Sequence, residues 1–305
     1  MADEAPAAAA GTVALGDGPV VNRLGFGAMR ITGAGIWGPP ADRDAALGVL
    51  RRAVELGVQF VDTADSYGPE VSETLIADAL APYPDDLVVA TKGGYRRDGP
   101  DQWRPDGRPE HLRAACEGSL RRLGVERITL YQLHVPDPAV PYHESVGALA
   151  ALRDEGKIAH VGLSNVGVDQ VRQALSIVPV VSVQNRYNLS ARGSDPMIDL
   201  ADELGIAFIP WAPVGGRRPG EGAALREVAD RHGATAVQVA VAWQLARSPR
   251  VLPIPGTSSL DHLEQNVAAA GIRLTDDDLA RLGRAPGPPS PARRLAGRLR
   301  RTRRG

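Results

Sequence analysis

Aromatic residues are scarce in this chain. Three Phe, six Tyr and four Trp make up 4% of 305 residues. A core for a chain of this length must therefore be built mainly on Val, Leu, Ile and Ala. Cysteine is scarcer still: Cys116 stands alone, so no intrachain disulfide can form, and a reducing compartment fits. No apolar run approaches the roughly 20 residues that cross a bilayer. The N-terminus has no basic segment and carries Asp3 and Glu4, unlike a signal peptide. These absences point to a soluble, cytoplasmic protein with no membrane partner. No His-x-His stands at an early strand end, so no metal site is expected. Net charge is also nearly absent, at -1, but it is unevenly spread. The last 14 residues hold seven Arg and no acid, which leaves residues 1–291 at -8. An acidic body argues against a nucleic-acid binder. The Arg-rich end reads as a disordered, solubilising tail.

What the chain does have is rhythm. A short hairpin opens it: "TVAL", "GDG", "PVVNRL". Short apolar runs then alternate with segments of helical periodicity. Strands are expected at 24–28, 58–61, 87–91, 127–133, 158–163, 179–184, 206–210 and 250–254. Helices are expected at 42–56, 70–80, 109–123, 141–155, 168–175, 194–204, 221–232, 235–246, 259–270 and 275–283. Eight strand–helix units in about 250 residues is the count of a (β/α)8 TIM barrel, here an α/β fold with an N-terminal β-hairpin and extra helices near the C-terminus. The expected division is a disordered N-terminus at 1–11, one barrel over 12–284 and a Pro- and Arg-rich disordered tail at 285–305.

"GAGIWGPP" competes with that reading. Gly33, Gly35 and Gly38 match the G-x-G-x-x-G spacing of dinucleotide-binding turns. In such a turn the third Gly lies inside the start of a helix. Here Pro39 and Pro40 delay the helix to about residue 42, and Asp62, the acid at the end of the next strand, falls 29 residues past Gly33 rather than about 20. The motif is therefore read as a decoy, a flexible loop above the first strand. In a barrel that loop overhangs the active site, which makes Trp37 a candidate wall of the substrate pocket.

Barrel active sites lie at the C-terminal ends of strands. Strand two ends in "FVDTADSYG", giving Asp62 and Tyr67; strand three in "ATKGG", giving Lys92; strand four in "LYQLH", giving His134. Singly these are a turn residue, a packing phenol, a solvated strand end and a core histidine. Together they place acid, phenol, ammonium and imidazole on one rim. A free phenol titrates near 10, and a neighbouring ammonium is expected to bring that value down. Asp62 would hold Lys92 charged, and His134 would orient a substrate oxygen. No nucleophile accompanies the set.

These stretches, with "VGLSN", "VQNRYN" and "IPGTSSLDHLEQN", resemble the aldo-keto reductase superfamily over about residues 12–284. The resemblance implies a reductase tetrad of Asp62, Tyr67, Lys92 and His134. It also implies hydride transfer from NADPH to an aldehyde or ketone, with NADH as the alternative donor. Implied cofactor contacts are Gly27, Ala28, Met29 and Asp62 near the ribose, and Ser164, Asn165 and Gln184 on the carboxamide. Simple capping of the fifth helix is the alternative for Ser164 and Asn165. Trp211 is implied as the stacking aromatic, with Ala212, Pro213, Val214, Gly215 and Gly216 along the pyrophosphate. Gly256, Thr257, Ser258 and Ser259 would meet the 2′-phosphate, and His262, Gln265 and Asn266 the adenosine. Arg217 and Arg218 would add charge or face solvent. Trp37, Tyr67 and His134 would line the substrate pocket. Gly256 and His262 stand where many relatives carry Lys and Arg. "VNRLGFGAMRITGAGIWGPPADRDAAL" and "VLPIPGTSSL" are most similar to the bacterial pyridoxal reductase branch, so pyridoxal is the expected small-molecule substrate. The alternatives are a generic carbonyl or natural-product ketoreductase, or a regulatory subunit that binds nicotinamide without fast chemistry. The sequence leaves oligomeric state open.

Overall fold

The computed structural model describes residues 5–215 and 222–284. Its centre is a curled parallel sheet of seven strands: β3 (Phe26–Gly27), β4 (Phe60–Asp62), β5 (Val88–Gly93), β8 (Ile128–Leu133), β9 (Ile158–Ser164), β10 (Val180–Arg186) and β11 (Ala207–Trp211), paired in that order. An eighth ladder strand was expected at 250–254. The segment is extended there but forms only an isolated bridge, Val251 to Phe208. Pro253 and Pro255 explain this, since each removes a ladder donor. The segment still closes the circle. Leu252 N–H donates to Phe208 O at 2.9 Å on one side, and Gly25 N–H to Pro253 O at 2.9 Å on the other.

Ten helices surround the sheet among the described residues. They are α1 (Arg43–Glu55), α2 (Val71–Leu80), α3 (Pro109–Leu123), α4 (Tyr142–Asp154), α5 (Val168–Leu175), α6 (Asp195–Leu204), α7 (Ala223–Arg231), α8 (Ala236–Arg247), α9 (Leu260–Ala268) and α10 (Asp276–Arg284). Local chemistry sets their ends. Asp42 accepts from Ala45 N–H at the start of α1, Thr235 from Gln238 N–H at α8 and Ser259 from His262 N–H at α9. Left-handed Gly124 and Gly205 close α3 and α6. No described helix is long and apolar enough to cross a membrane.

The opening hairpin, β1 (Thr12–Ala14) and β2 (Val20–Asn22), plugs the barrel floor. Val13, Leu15 and Val21 pack with Phe60, Val88, Ala90, Leu130, Val181, Ala207 and Leu252 in one buried cluster. Residues Pro6–Ala10, assigned to a disordered N-terminus from sequence, form a 3-10 turn instead. Ala7 is fully buried and its N–H donates to Leu56 O, because its methyl fills space beside α1. The tail at 285–305 lies outside the described residues.

One unexpected element matters for the site. Between the third barrel strand and α3 the chain makes a second hairpin, β6 (Tyr95–Gly99) and β7 (Gln102–Pro105). Its burial alternates, with Arg96, Asp98, Gln102 and Arg104 outward and Tyr95, Arg97, Trp103 and Pro105 half-buried.

Candidate active site

Side chains alternate along a strand, so residues two apart share a face. Phe60, Ala90 and Leu130 belong to the apolar floor. Two residues further on stand Asp62, Lys92 and Gln132, and Gln184 stands two past Ser182. All four are buried. A polar layer thus rests one pleat above the apolar plug. The ladder puts Lys92 beside Gln132 and Ser164 beside Gln184. Gly162 makes room in this layer: a Cβ there would meet Gln132 Cγ at 2.8 Å and Ser182 Oγ at 2.5 Å.

Within the layer Lys92 Nζ donates to Asp62 Oδ2 at 2.6 Å, to Thr63 O at 2.8 Å and to Tyr67 Oη at 3.3 Å. Lys92 is 0% exposed and Asp62 2%. A buried pair persists only when its remaining valences are filled, and here they are. Asp62 Oδ1 accepts from Gln184 Nε2 at 2.8 Å and from Gln132 Nε2 at 3.2 Å. Burial works against the Lys92 ammonium, but Asp62 and the Tyr67 oxygen outweigh it, so its pKa lies above the usual lysine value.

The structure corrects one expectation. Lys92 does pull the Tyr67 pKa down, but burial pushes it up more strongly and Asp62 adds to that push. The net direction is upward, so Tyr67 is a protonated phenol throughout the neutral range. Burial, followed by the Lys92 charge, holds the His134 pKa well below its ordinary value, so the imidazole is neutral. The rings of Tyr67 and His134 lie edge to face, centroids 5.8 Å apart. Ser66 Oγ sits 3.4 Å from His134 Nδ1. Asp62, Tyr67, Lys92 and His134 are thus brought together as the sequence suggested.

Around them the second hairpin adds what sequence reading missed. Tyr95 lies 4.7 Å from the His134 ring and Trp103 6.2 Å; Trp103 is 6.3 Å from Tyr67. All these pairs are edge to face, the favourable geometry for aromatic quadrupoles. The box over the tetrad is therefore loop-borne and aromatic. The alternation in "YRRDG" and "QWRP", broken at "PD", was the available signal for it. Trp37 comes to the same rim and bridges to Gly68, next to Tyr67.

The glycine loop does not bind through a helix N-terminus. It folds as two 3-10 turns, Ala28–Ile31 and Ala34–Ile36. It is also tied down rather than loose. Gly38 N–H donates to Gly68 O at 2.6 Å, Gly33 N–H to Gly38 O at 3.0 Å and Asp101 N–H to Gly35 O at 3.1 Å. A Cβ at Gly33 would lie 2.3 Å from Trp37 O. Close packing at Gly33 and Gly35 and left-handed backbone at Gly35 and Gly38 (φ 67° and 68°) account for the glycines.

A model of the aldo/keto reductase family matches residues 23–285. The chain belongs to the aldo/keto reductase family. It is 50% identical over 277 residues to an uncharacterised oxidoreductase of Schizosaccharomyces pombe, with 90% of each chain covered. It is 45% identical over 268 residues to pyridoxine 4-dehydrogenase of Escherichia coli, covering 86% of this chain and 94% of that one. Among solved structures, a glycerol dehydrogenase from Gluconobacter oxydans superposes with a TM-score of 0.79 at 28% identity, covering 92% and 98%. An aldo/keto reductase from Klebsiella pneumoniae, solved with NADP and acetate, gives 0.75 at 28% identity, covering 91% and 96%. Membership makes this reductase an oxidoreductase, and its neighbours are complete barrels of the same family.

The residues expected to contact a dinucleotide group at the same end of the reductase barrel. Ser164, Gln184 and Trp211 lie at the ends of β9, β10 and β11. Asn165 donates through Nδ2 to His134 O at 3.0 Å and accepts from Trp211 Nε1 at 3.0 Å. Neither Ser164 nor Asn165 caps α5; that helix starts at Gly167. Asn165 and Ala212 hold left-handed backbone, with φ of 59° and 51°. Such strain in non-glycine residues gathers at ligand sites. Gly27 and Gly256 pack backbone against backbone, since a Cβ on Gly256 would lie 2.3 Å from Gly27 O. Ala28 is buried with its carbonyl accepting from Ser72 Oγ, while Met29 is half-buried. Ala212 O accepts from Asn188 Nδ2, Pro213 O from Gln244 Nε2, and Val214 and Gly215 are half-buried beside them. Thr257 Oγ1 accepts from Ser259 N–H, Ser258 is exposed, and Ser259 opens α9. His262 and Gln265 are exposed on that helix; Asn266 is buried. Gly216, Arg217 and Arg218 lie outside the described residues. Amides for a carboxamide, an indole at a strand end, and hydroxyls at a helix N-terminus form a donor set that fits a nicotinamide dinucleotide. The described residues contain no cluster of three or more metal-ligating side chains.

Proposed function

We propose that this reductase converts an aldehyde, with pyridoxal as the leading candidate, to the alcohol using NADPH. The observation that carries the reading is a protonated, buried Tyr67 at 3.3 Å from a charged Lys92 and beside a neutral His134. A bound dihydronicotinamide would supply the hydride for the carbonyl carbon. Tyr67 Oη gives its proton to the carbonyl oxygen, and the Lys92 ammonium stabilises the phenolate left behind. Ser66 Oγ occupies His134 Nδ1, which leaves Nε2 to hydrogen-bond the same oxygen. Asp62, itself held by Gln132 and Gln184, keeps the ammonium charged and in place. Ser164, Asn165, Gln184 and Trp211 would hold the nicotinamide. Tyr95, Trp103 and Trp37 exclude water and accept a planar ring. The 45% identity to a pyridoxine 4-dehydrogenase supports a pyridine aldehyde as substrate, and NADP and NADPH in the Klebsiella neighbours support the cofactor.

The test is NADPH oxidation by the purified chain with pyridoxal. Tyr67→Phe should lower kcat by about 10³-fold while NADPH affinity, read by fluorescence quenching, holds. Retained turnover in that variant contradicts the proton-donor role. Good turnover of other aldehydes with none of pyridoxal contradicts the substrate. Parity of kcat/KM for NADPH and NADH contradicts the cofactor preference.

A further inference from the structure

Arg97 takes no part in the chemistry above, yet it is the most heavily engaged side chain at the rim. Its Nη1 donates to Ile36 O and Ser66 O, both at 2.9 Å. Its Nη2 donates to Gly35 O at 3.0 Å and Gly99 O at 3.4 Å, and its Nε to Gln102 O at 3.0 Å. These carbonyls come from three separate segments: the glycine loop, the turn just before Tyr67, and the second hairpin. A guanidinium offers five N–H donors in a fixed plane, and all five acceptors here are neutral carbonyls. The same group lies 3.8 Å from the Trp103 ring centroid and 5.7 Å from that of Trp37. Its charge is thus turned inward on the frame and lies over the two indoles. The alternation of β6 places Arg96 on the other side, exposed and 3.8 Å from Asp106.

We propose that Arg97 is a specificity-determining positioning residue: it latches the Gly33–Gly38 loop to the Tyr95–Pro105 hairpin and so fixes where Trp37 and Trp103 stand on the rim, as walls that a substrate ring must meet. The inference rests on the reductase reading for its kinetic consequence, but the latch itself does not. Lysine cannot replace it, since an ammonium has three donors and no plane to lie between indoles. Without the latch the walls lose their common anchor. A ring-bearing aldehyde then loses contacts that a three-carbon aldehyde never makes. Hydride and proton transfer are untouched in kind, because Ser66 reaches Arg97 through its carbonyl and His134 through its hydroxyl.

The test uses the full chain as wild type, Arg97→Met, Arg97→Lys and the outward control Arg96→Met. With NADPH, the ratio of kcat/KM for benzaldehyde over that for propanal should fall at least about 10-fold in both Arg97 variants, carried by KM for benzaldehyde. Arg96→Met should leave the ratio within about 2-fold of wild type. Hydrogen exchange over residues 33–38 should quicken about 10-fold or more in Arg97→Met, while α1 stays protected. An unchanged exchange rate in that loop overturns the latch. Faster exchange with an unchanged ratio, or equal losses on both aldehydes, overturns the specificity role. A wild type that oxidises NADPH with neither aldehyde overturns the reductase reading instead, and the exchange result still decides the latch.

Discussion

The floor of the pocket and its rim are built on opposite terms. Asp62, Lys92, Gln132 and Gln184 stand on paired strands, and each is fixed by ladder register and by side-chain partners within 3.3 Å. Trp37, Tyr95 and Trp103 stand on a loop and a two-stranded ribbon, tied together by the Arg97 guanidinium and by the Asp101 N–H bond to Gly35 O. A charge layer must hold a proton donor to a fraction of an ångström, and a barrel strand can do that. A substrate wall must differ between relatives that share one chemistry, and loops carry such variation. The difference teaches that, on the proposed reading, reaction type and substrate choice would rest on separable parts of this chain.

The comparison breaks most sharply at Lys92. Lys92→Met leaves Asp62 as an unpaired buried charge, a loss of about 3–5 kcal/mol, so both thermal stability and kcat should collapse. Calorimetry beside turnover checks this, and a stable variant would show that the layer is less dry than its burial implies. Gln132→Leu removes one of two donors from Asp62 Oδ1. Leaving a buried acceptor short costs about 1–3 kcal/mol, and the effect should fall on kcat rather than on KM for the aldehyde. Trp103→Ala touches the rim alone. It should raise KM for a ring-bearing aldehyde about 10-fold and shift kcat little, as steady-state kinetics on the purified variant will show.

A pH-dependent effect is expected outside this layer, beside Glu73. Asp65 has a buried, unpartnered Oδ1, and burial together with Glu73 raises its pKa to about 8. In the unfolded chain it ionises near 4. The unfolded state therefore binds fewer protons than the folded one between those values, and wild-type stability should decline as pH rises from about 4 towards 8. Asp65→Asn removes that slope, so its melting temperature should gain on wild type more at pH 8 than at pH 5. Parallel melting curves across that window would refute the assignment.

The barrel strands were legible because short continuous apolar runs ended in polar residues, as in "VVATKGG". Helices were legible because Asp42, Pro109 and Gly124 marked their ends. The eighth strand was over-read: "VLPIP" has strand hydrophobicity, but its prolines cannot sustain a ladder. The tetrad was legible because each member stands at or shortly after the C-terminal end of one of three successive barrel strands. The second hairpin was not, because its ribbon is half-exposed and Arg-rich, and hydrophobicity alone reads it as loop. Nor could sequence weigh burial against Lys92 at Tyr67, since that balance depends on how dry the layer is. Gln132 was passed over as strand filler; only the circle of the barrel brings it to Asp62.

The central claim is a buried phenol that stays protonated beside a permanently charged lysine and a neutral histidine. It is tested most directly by single-turnover NADPH oxidation with saturating aldehyde, followed by stopped flow from pH 5.5 to 11 (about six pH values). The expected rate constant is flat through the neutral range and falls only above the ordinary tyrosine value, as Tyr67 ionises. A rate that instead rises or falls through a single inflection near 6.5, the ordinary histidine value, would contradict the account.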